Sequence, residues 1–121
     1  MSSSYEPKIL TFLAAAALAK GKAVKAGADN QHVAVCSAAS DKSVGIVQND
    51  STAAEDQLEV ALPGGGGKAL LGGSVSFGDF LTPDSNGKLV AASTGNRFIA
   101  IAMEDGVSGD LISVHMQAGI A

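Results

Sequence analysis

Residues 77–116 read FGDFLTPDSNGKLVAASTGNRFIAIAMEDGVSGDLISVHM, and residues 20–62 read KGKAVKAGADNQHVAVCSAASDKSVGIVQNDSTAAEDQLEVAL. Both stretches run through the same order of events. Each opens on a glycine (Gly21, Gly78) and a short apolar pair, followed by a turn (Ala28-Asp29-Asn30, Asp84-Ser85-Asn86-Gly87). A second apolar stretch comes next (Val33 to Val35, Leu89 to Ala91), then small residues and a third strand-like run (Val44 to Val47, Ile99 to Met103). An acidic turn follows (Asn49-Asp50, Glu104-Asp105), and each copy closes on an aspartate leading into apolar alternation: Asp56 with Val60 and Leu62, Asp110 with Val114 and Met116. The offset drifts from 57 residues between Gly21 and Gly78 to 54 between Val60 and Val114, the mark of an old duplication with small insertions and deletions. Two copies suit one domain of two β-units, because a solenoid needs about three or more.

Within each copy the pattern is that of half-buried strands. Val33–Val35, Val44–Val47, Leu58–Leu62, Ser74–Phe77, Phe98–Ile101 and Leu111–Met116 are short, and several alternate apolar with polar side chains. Asn86-Gly87, flanked by Phe80-Leu81 and Leu89-Val90, is a tight-turn signal. Short strands separated by Gly, Asn, Asp and Ser turns predict a mainly β fold, a compact barrel or sandwich. The expected organisation is an N-terminal arm over residues 1–19 and a single β domain over 20–121. Repeat units of about 20–62 and 77–116 would be joined by the Gly-rich connection 63–73.

Composition narrows the function classes. The 121-residue chain holds four Phe, one Tyr and no Trp, so its core is light and association with other subunits would stabilise it. Its net charge is −4, unevenly distributed. Residues 1–25 set Lys8, Lys20, Lys22 and Lys25 against Glu6 alone, whereas the remainder carries a balance of −7. A basic arm on an acidic body meets two kinds of neighbour. An acidic body without a basic, aromatic-interleaved patch does not suit nucleic acid.

Ile9 to Ala19, ILTFLAAAALA, superficially matches the apolar core of a secretion signal. Its flank carries Glu6 and Pro7 against one lysine, and three lysines follow it closely. The run is too short to span a bilayer. Two local conformations stay open: a helix over Ala14 to Lys20, favoured by propensity, or a strand over Lys8 to Leu13 followed by an Ala-rich turn.

Sites of chemistry are sparse. Pro63 to Ala69 imitates a phosphate loop, but Leu62 stands where the first glycine belongs and Ala69 where the hydroxyl belongs. The Asp84-Ser85-Asn86-Gly87 turn lacks the later glycine and closing glutamate of a calcium loop. Asn49-Asp50-Ser51 is a glycosylation sequon that matters only in a secreted eukaryotic chain. Glu55-Asp56 and Glu104-Asp105 suit solvated turn acids, and His32 and His115 suit structural or surface roles. Cys36, alone in a Val-Ala-Val-Cys run, suits a buried strand position. No catalytic, cofactor or metal set emerges, so the expectation is a non-enzymatic protein without cofactors.

Three stretches carry a resemblance. Leu13 to Ala28 (LAAAALAKGKAVKAGA) combines an Ala-rich lead with Gly21, Val24 and Lys25. Val44 to Gly67 (VGIVQNDSTAAEDQLEVALPGGGG) and Ser76 to Val114 supply the two closing units, the latter with Gly78-Asp79, Leu81, Asp84, Gly87-Lys88 and Gly109-Asp110. Together they resemble the small β-rich capsid cement, or head decoration, proteins of tailed bacteriophages. Ala100 stands where that family has glycine, and Glu55-Asp56 where it has Ala-Gly. The resemblance implies a virion protein on the outer capsid surface, usually a homotrimer at threefold and quasi-threefold positions. There it would bridge major capsid subunits and stabilise the expanded head, with no nucleic-acid or membrane partner. In that reading Ile9, Leu10, Phe12, Leu13, Lys20 and Lys22 of the arm contact the capsid. Strand addition to a sheet edge is one way such an arm attaches, and many copies on a lattice reinforce it by avidity. The rival expectation is a secreted or surface β-domain that binds a glycan or host receptor.

Overall fold

The computed structural model describes residues 9–27, 29, 31–38 and 43–120; Lys8 of the expected arm lies outside them. Ten strands follow in order: β1 Ile9–Ala14, β2 Ala23–Ala26, β3 His32–Val35, β4 Ser43–Val47, β5 Gln57–Ala61, β6 Gly66–Leu70, β7 Phe80–Pro83, β8 Leu89–Ala91, β9 Arg97–Ala102 and β10 Leu111–Ile120. The fold is all β among the described residues. β1 to β5 form a closed barrel in the order β1-β3-β2-β4-β5, and β6 to β10 form a sheet in the order β6-β10-β9-β7-β8.

These are two versions of one unit. Read from β3, the first runs β3-β2-β4-β5-β1; read from β8, the second runs β8-β7-β9-β10-β6. The registers agree residue by residue. Val24 faces Val35 as Leu81 faces Ala91, and Ala23 faces Ile46 as Phe80 faces Ile101. Turn hydrogen bonds repeat as well: Gly21 N–H donates to Val47 O at 2.7 Å and Gly78 N–H to Ala102 O at 2.8 Å.

The repeat is longer than the sequence suggested. β1 lies antiparallel to β5 with Leu13 opposite Gln57, and β6 lies antiparallel to β10 with Leu70 opposite Leu111. β1 is therefore the structural counterpart of β6. Two expectations change accordingly. Residues 9–14 are a strand of the barrel rather than an arm separate from the β body, and the connection 63–73 contains a strand. The physical reason is that β5 and β10 each need a partner on their free edge, and the preceding segment supplies it. The helix favoured by propensity over Ala14 to Lys20 does not form; Leu18 instead makes a single bridge to Ser51. Ser74–Phe77, expected as a strand, contributes only the matching bridge Val75–Gly106.

The interiors also correspond. In the barrel, Val24, Val33, Val47, Leu58 and Val60 point inward and are fully buried; their counterparts Leu81, Leu89, Ala102, Ile112 and Val114 line the second core. Alternation explains the choice: in β5, Leu58 and Val60 are buried while Gln57 and Glu59 are exposed. Burying a Val or Leu side chain contributes about 1.5–3 kcal/mol relative to leaving it exposed, so the alternation dictates which face turns in.

Closure differs between the units. β1 joins β3 in parallel through Leu13–His32 and Ala14–Val33, whereas the second unit keeps only the equivalent of the latter, the Leu71–Leu89 bridge. Leu70 N–H is diverted to Gly21 O of the first unit at 2.9 Å. Across the same seam Ala23 N–H donates to Gly87 O, and the Gln48 amide brackets Lys68 by accepting from its N–H at 2.9 Å and donating to its carbonyl at 3.1 Å.

Candidate docking surfaces

The six residues expected to contact a capsid do not share one surface. Along β1, Leu10 and Phe12 stand on the face of Val60 and Leu58, and Phe12 packs against the barrel core. Ile9 and Leu13 fall on the opposite, outward face by strand alternation. Ile9 is 42% exposed and Leu10 53%, while Phe12 and Leu13 are half-buried. Lys20 is exposed, with its N–H donating to Asp50 Oδ1 at 2.8 Å, and Lys22 is half-buried, its carbonyl accepting from Val47 N–H. Lys20 also lines a small cavity of about 140 Å³ at the seam, together with Gly21, Val47, Gln48, Lys68 and Leu111. Lys68 Nζ donates to Ser113 Oγ at 3.0 Å on the same side of the sheet.

A second constellation was not legible in the sequence. The His32 ring lies between two carboxylates, with Nδ1 2.8 Å from Asp29 Oδ1 and Nε2 2.8 Å from Glu55 Oε2. The hydrogen bond to Asp29, followed by that to Glu55, raises the histidine's pKa; the same contact holds the Asp29 carboxyl below its ordinary value. An imidazolium donating from both nitrogens satisfies both carboxylates. His32 sits in β3 and Glu55 precedes β5, on either side of β1, so the cluster straddles the strand that closes the barrel. Its only sequence signal was three titratable residues in turn and strand-end positions. Nothing in their spacing announced that closure brings them together.

A third surface lies on the second unit. Phe80, Ile101 and His115 are cross-strand neighbours on the outer face of β7, β9 and β10. Phe80 is 40% exposed, and its ring stacks on Phe98 with centroids 4.2 Å apart. Cys36, which occupies the corresponding flank of the first unit, is a buried thiol as expected.

No protein-family model matches the chain, and no curated protein matches it in sequence. Among solved structures, its fold is similar to the head fiber gp8.5 N base of bacteriophage phi29. The TM-score is 0.70 at 14% identity, over 90% of this chain and 92% of that one. At that identity the likeness is one of fold alone.

Proposed function

We propose that this chain is a structural, non-enzymatic virion protein that binds the outer surface of a bacteriophage head and stabilises the assembled shell. The observation that carries the proposal is a fold likeness over nine-tenths of the chain to the base of a phage head fiber. The cement-protein motifs in residues 13–114 point the same way. In this reading the major capsid protein is the partner, and the protein assembles as a homotrimer at threefold and quasi-threefold positions. The outward residues Ile9 and Leu13, with Lys20 and Lys22 beyond the end of β1, make the attachment. Apolar contact supplies affinity there, and the lysines on an otherwise acidic chain favour an acidic capsid patch.

Mixing the protein with expanded heads and pelleting them tests the reading directly, with electron microscopy locating the bound copies. Saturable density at threefold positions and greater resistance of the heads to heat are expected. Heads that stay bare at saturating protein would overturn it. The double variant Ile9→Asp, Lys20→Glu tests the attachment surface: occupancy should fall at least about tenfold, a loss of roughly 1.4 kcal/mol per site. Occupancy equal to wild type would remove these residues from the interface.

A further inference from the structure

The contact between the two units is itself half of a repeating pattern. The outer face of the first unit, formed by Ala23, Cys36, Ile46 and Ala61, is fully buried, and it joins one continuous core with the second unit. It meets the second unit where Ala69, Ile99 and Met116 lie buried in the same core and where Gly67 and Gly87 closely approach Ala61, Cys36 and Ala23. In the barrel the counterparts of Ala69, Ile99 and Met116 are Phe12, Val44 and Leu62, which also pack on their own core but remain only partly buried. Among the described residues the second unit has such a stopper and the first has none.

The missing stopper exists elsewhere on the molecule. Register places Phe80 where the first unit has Ala23, Ile101 where it has Ile46, and His115 where it has Ala61. Ala92 matches Cys36, because Ala92 N–H donates to Phe80 O at 2.7 Å as Cys36 N–H donates to Ala23 O at 2.9 Å. This face is left partly open, with Phe80 held in place by the Phe98 ring. Among the described residues, each chain thus carries both halves of an interface that it uses once internally and leaves unpaired at its two ends.

We infer that a second copy of the chain fills the gap: the Phe80–Ile101–His115 face of one copy covers the Leu10–Phe12–Val44–Leu62 end of the barrel in the next. The contact is heterologous, joining different patches on the two copies, so it closes into a ring or runs on as a chain. Both patches carry larger side chains than their internal counterparts, Phe80 for Ala23 and Phe12 for Ala69. Neighbouring copies therefore sit further apart than the two units do within one chain, with more apolar surface between them. The inference rests on the self-association part of the proposed function and not on attachment to a head.

Sedimentation equilibrium of the isolated full chain decides it. Wild type should show masses at multiples of the 12.0 kDa chain as concentration rises. Phe80→Asp and Leu10→Asp alter exposed side chains, and each should lose every species above monomer while keeping the wild-type circular dichroism. An equimolar mixture of the two variants retains one intact junction and should form a one-to-one dimer that neither forms alone. A monomeric wild type, a variant that associates like wild type, or a mixture that stays monomeric would each overturn the inference. Head pelleting then reads attachment separately, because a monomeric chain can still bind heads.

Discussion

Glu55 and Gly109 occupy the same backbone position in the two units. Both are left-handed, at φ 71° and 93°, and the N–H of each donates at 2.8 Å to the carbonyl of an equivalent residue, Ala14 or Leu71. Glycine adopts this conformation without steric cost, whereas a residue with a Cβ costs about 1–2 kcal/mol there. The Glu55 side chain, however, reaches Nε2 of His32. The strained residue in the first unit is the one that ties the barrel closure together.

Glu55→Gly separates these two effects. At about pH 9, well above the ordinary histidine range, the substitution should stabilise the chain by about 0.5–1 kcal/mol, because relief of about 1–2 kcal/mol of backbone strain is partly offset by glycine's greater freedom in the unfolded chain. At about pH 5 the loss of the ion pair to charged His32 works against that gain, so the gain shrinks. Urea midpoints at the two pH values, with unchanged slope, make the comparison. A gain that is the same at both pH values would show that the His32 contact contributes nothing.

His32 also sets a pH window. Its folded pKa is raised above 6.5, so its contribution is fully present below that unfolded value and is lost as pH rises through the higher folded one. Asp29 is lowered from 3.8, so its contribution is present above that value and is lost as pH falls through the lower folded one. Stability from the cluster is therefore greatest between the two. His32→Gln should cost more at about pH 5 than at about pH 9. Equal losses in urea denaturation would sink the assignment.

Two glycines with similar φ distinguish backbone strain from close packing. A Cβ on Gly109 would meet nothing within 4 Å, so Gly109→Ala should cost only about 1 kcal/mol. At Gly87, φ 78°, a Cβ would run into the Val35 side chain and come within 3.1 Å of Cys36 O across the seam. Gly87→Ala should cost a further 1–3 kcal/mol or so, from overpacking between the units. The difference between their thermal or urea midpoints measures how rigidly the units dock.

Removing residues 1–19 should abolish cooperative folding rather than leave an undecorating but folded body. The truncation deletes β1, opens the edges of β3 and β5 and uncovers the interior beside Leu58. Far-UV circular dichroism across a urea titration reads the outcome. A sharp transition at the wild-type midpoint would mean that the barrel closes without this strand.

Much of each unit beyond its first strand could be read directly. Gly21 and Gly78, Val60 and Val114, and the Asp56 and Asp110 turns recur in order, because a turn demands particular residues and a half-buried strand demands alternation. The β1–β6 equivalence could not be read that way. ILTFLA and GGKAL share almost no chemistry, and neither alternates cleanly. Each is a strand because β5 or β10 offers it an open edge.

By itself the amino-acid sequence determined that the chain is mainly β, that it is duplicated and that it lacks a recognisable catalytic motif. Those properties reside in local patterns: turn residues, apolar alternation and the spacing of side chains that chemistry would require. Tertiary structure alone decided which copy closes into a barrel, which face of it becomes core, and that Asp29, His32 and Glu55 meet. Those outcomes depend on pairings between residues distant in the chain. Leu70 bonds Gly21 instead of completing the second closure, and His32 finds Glu55 only once β1 has joined β3 and β5.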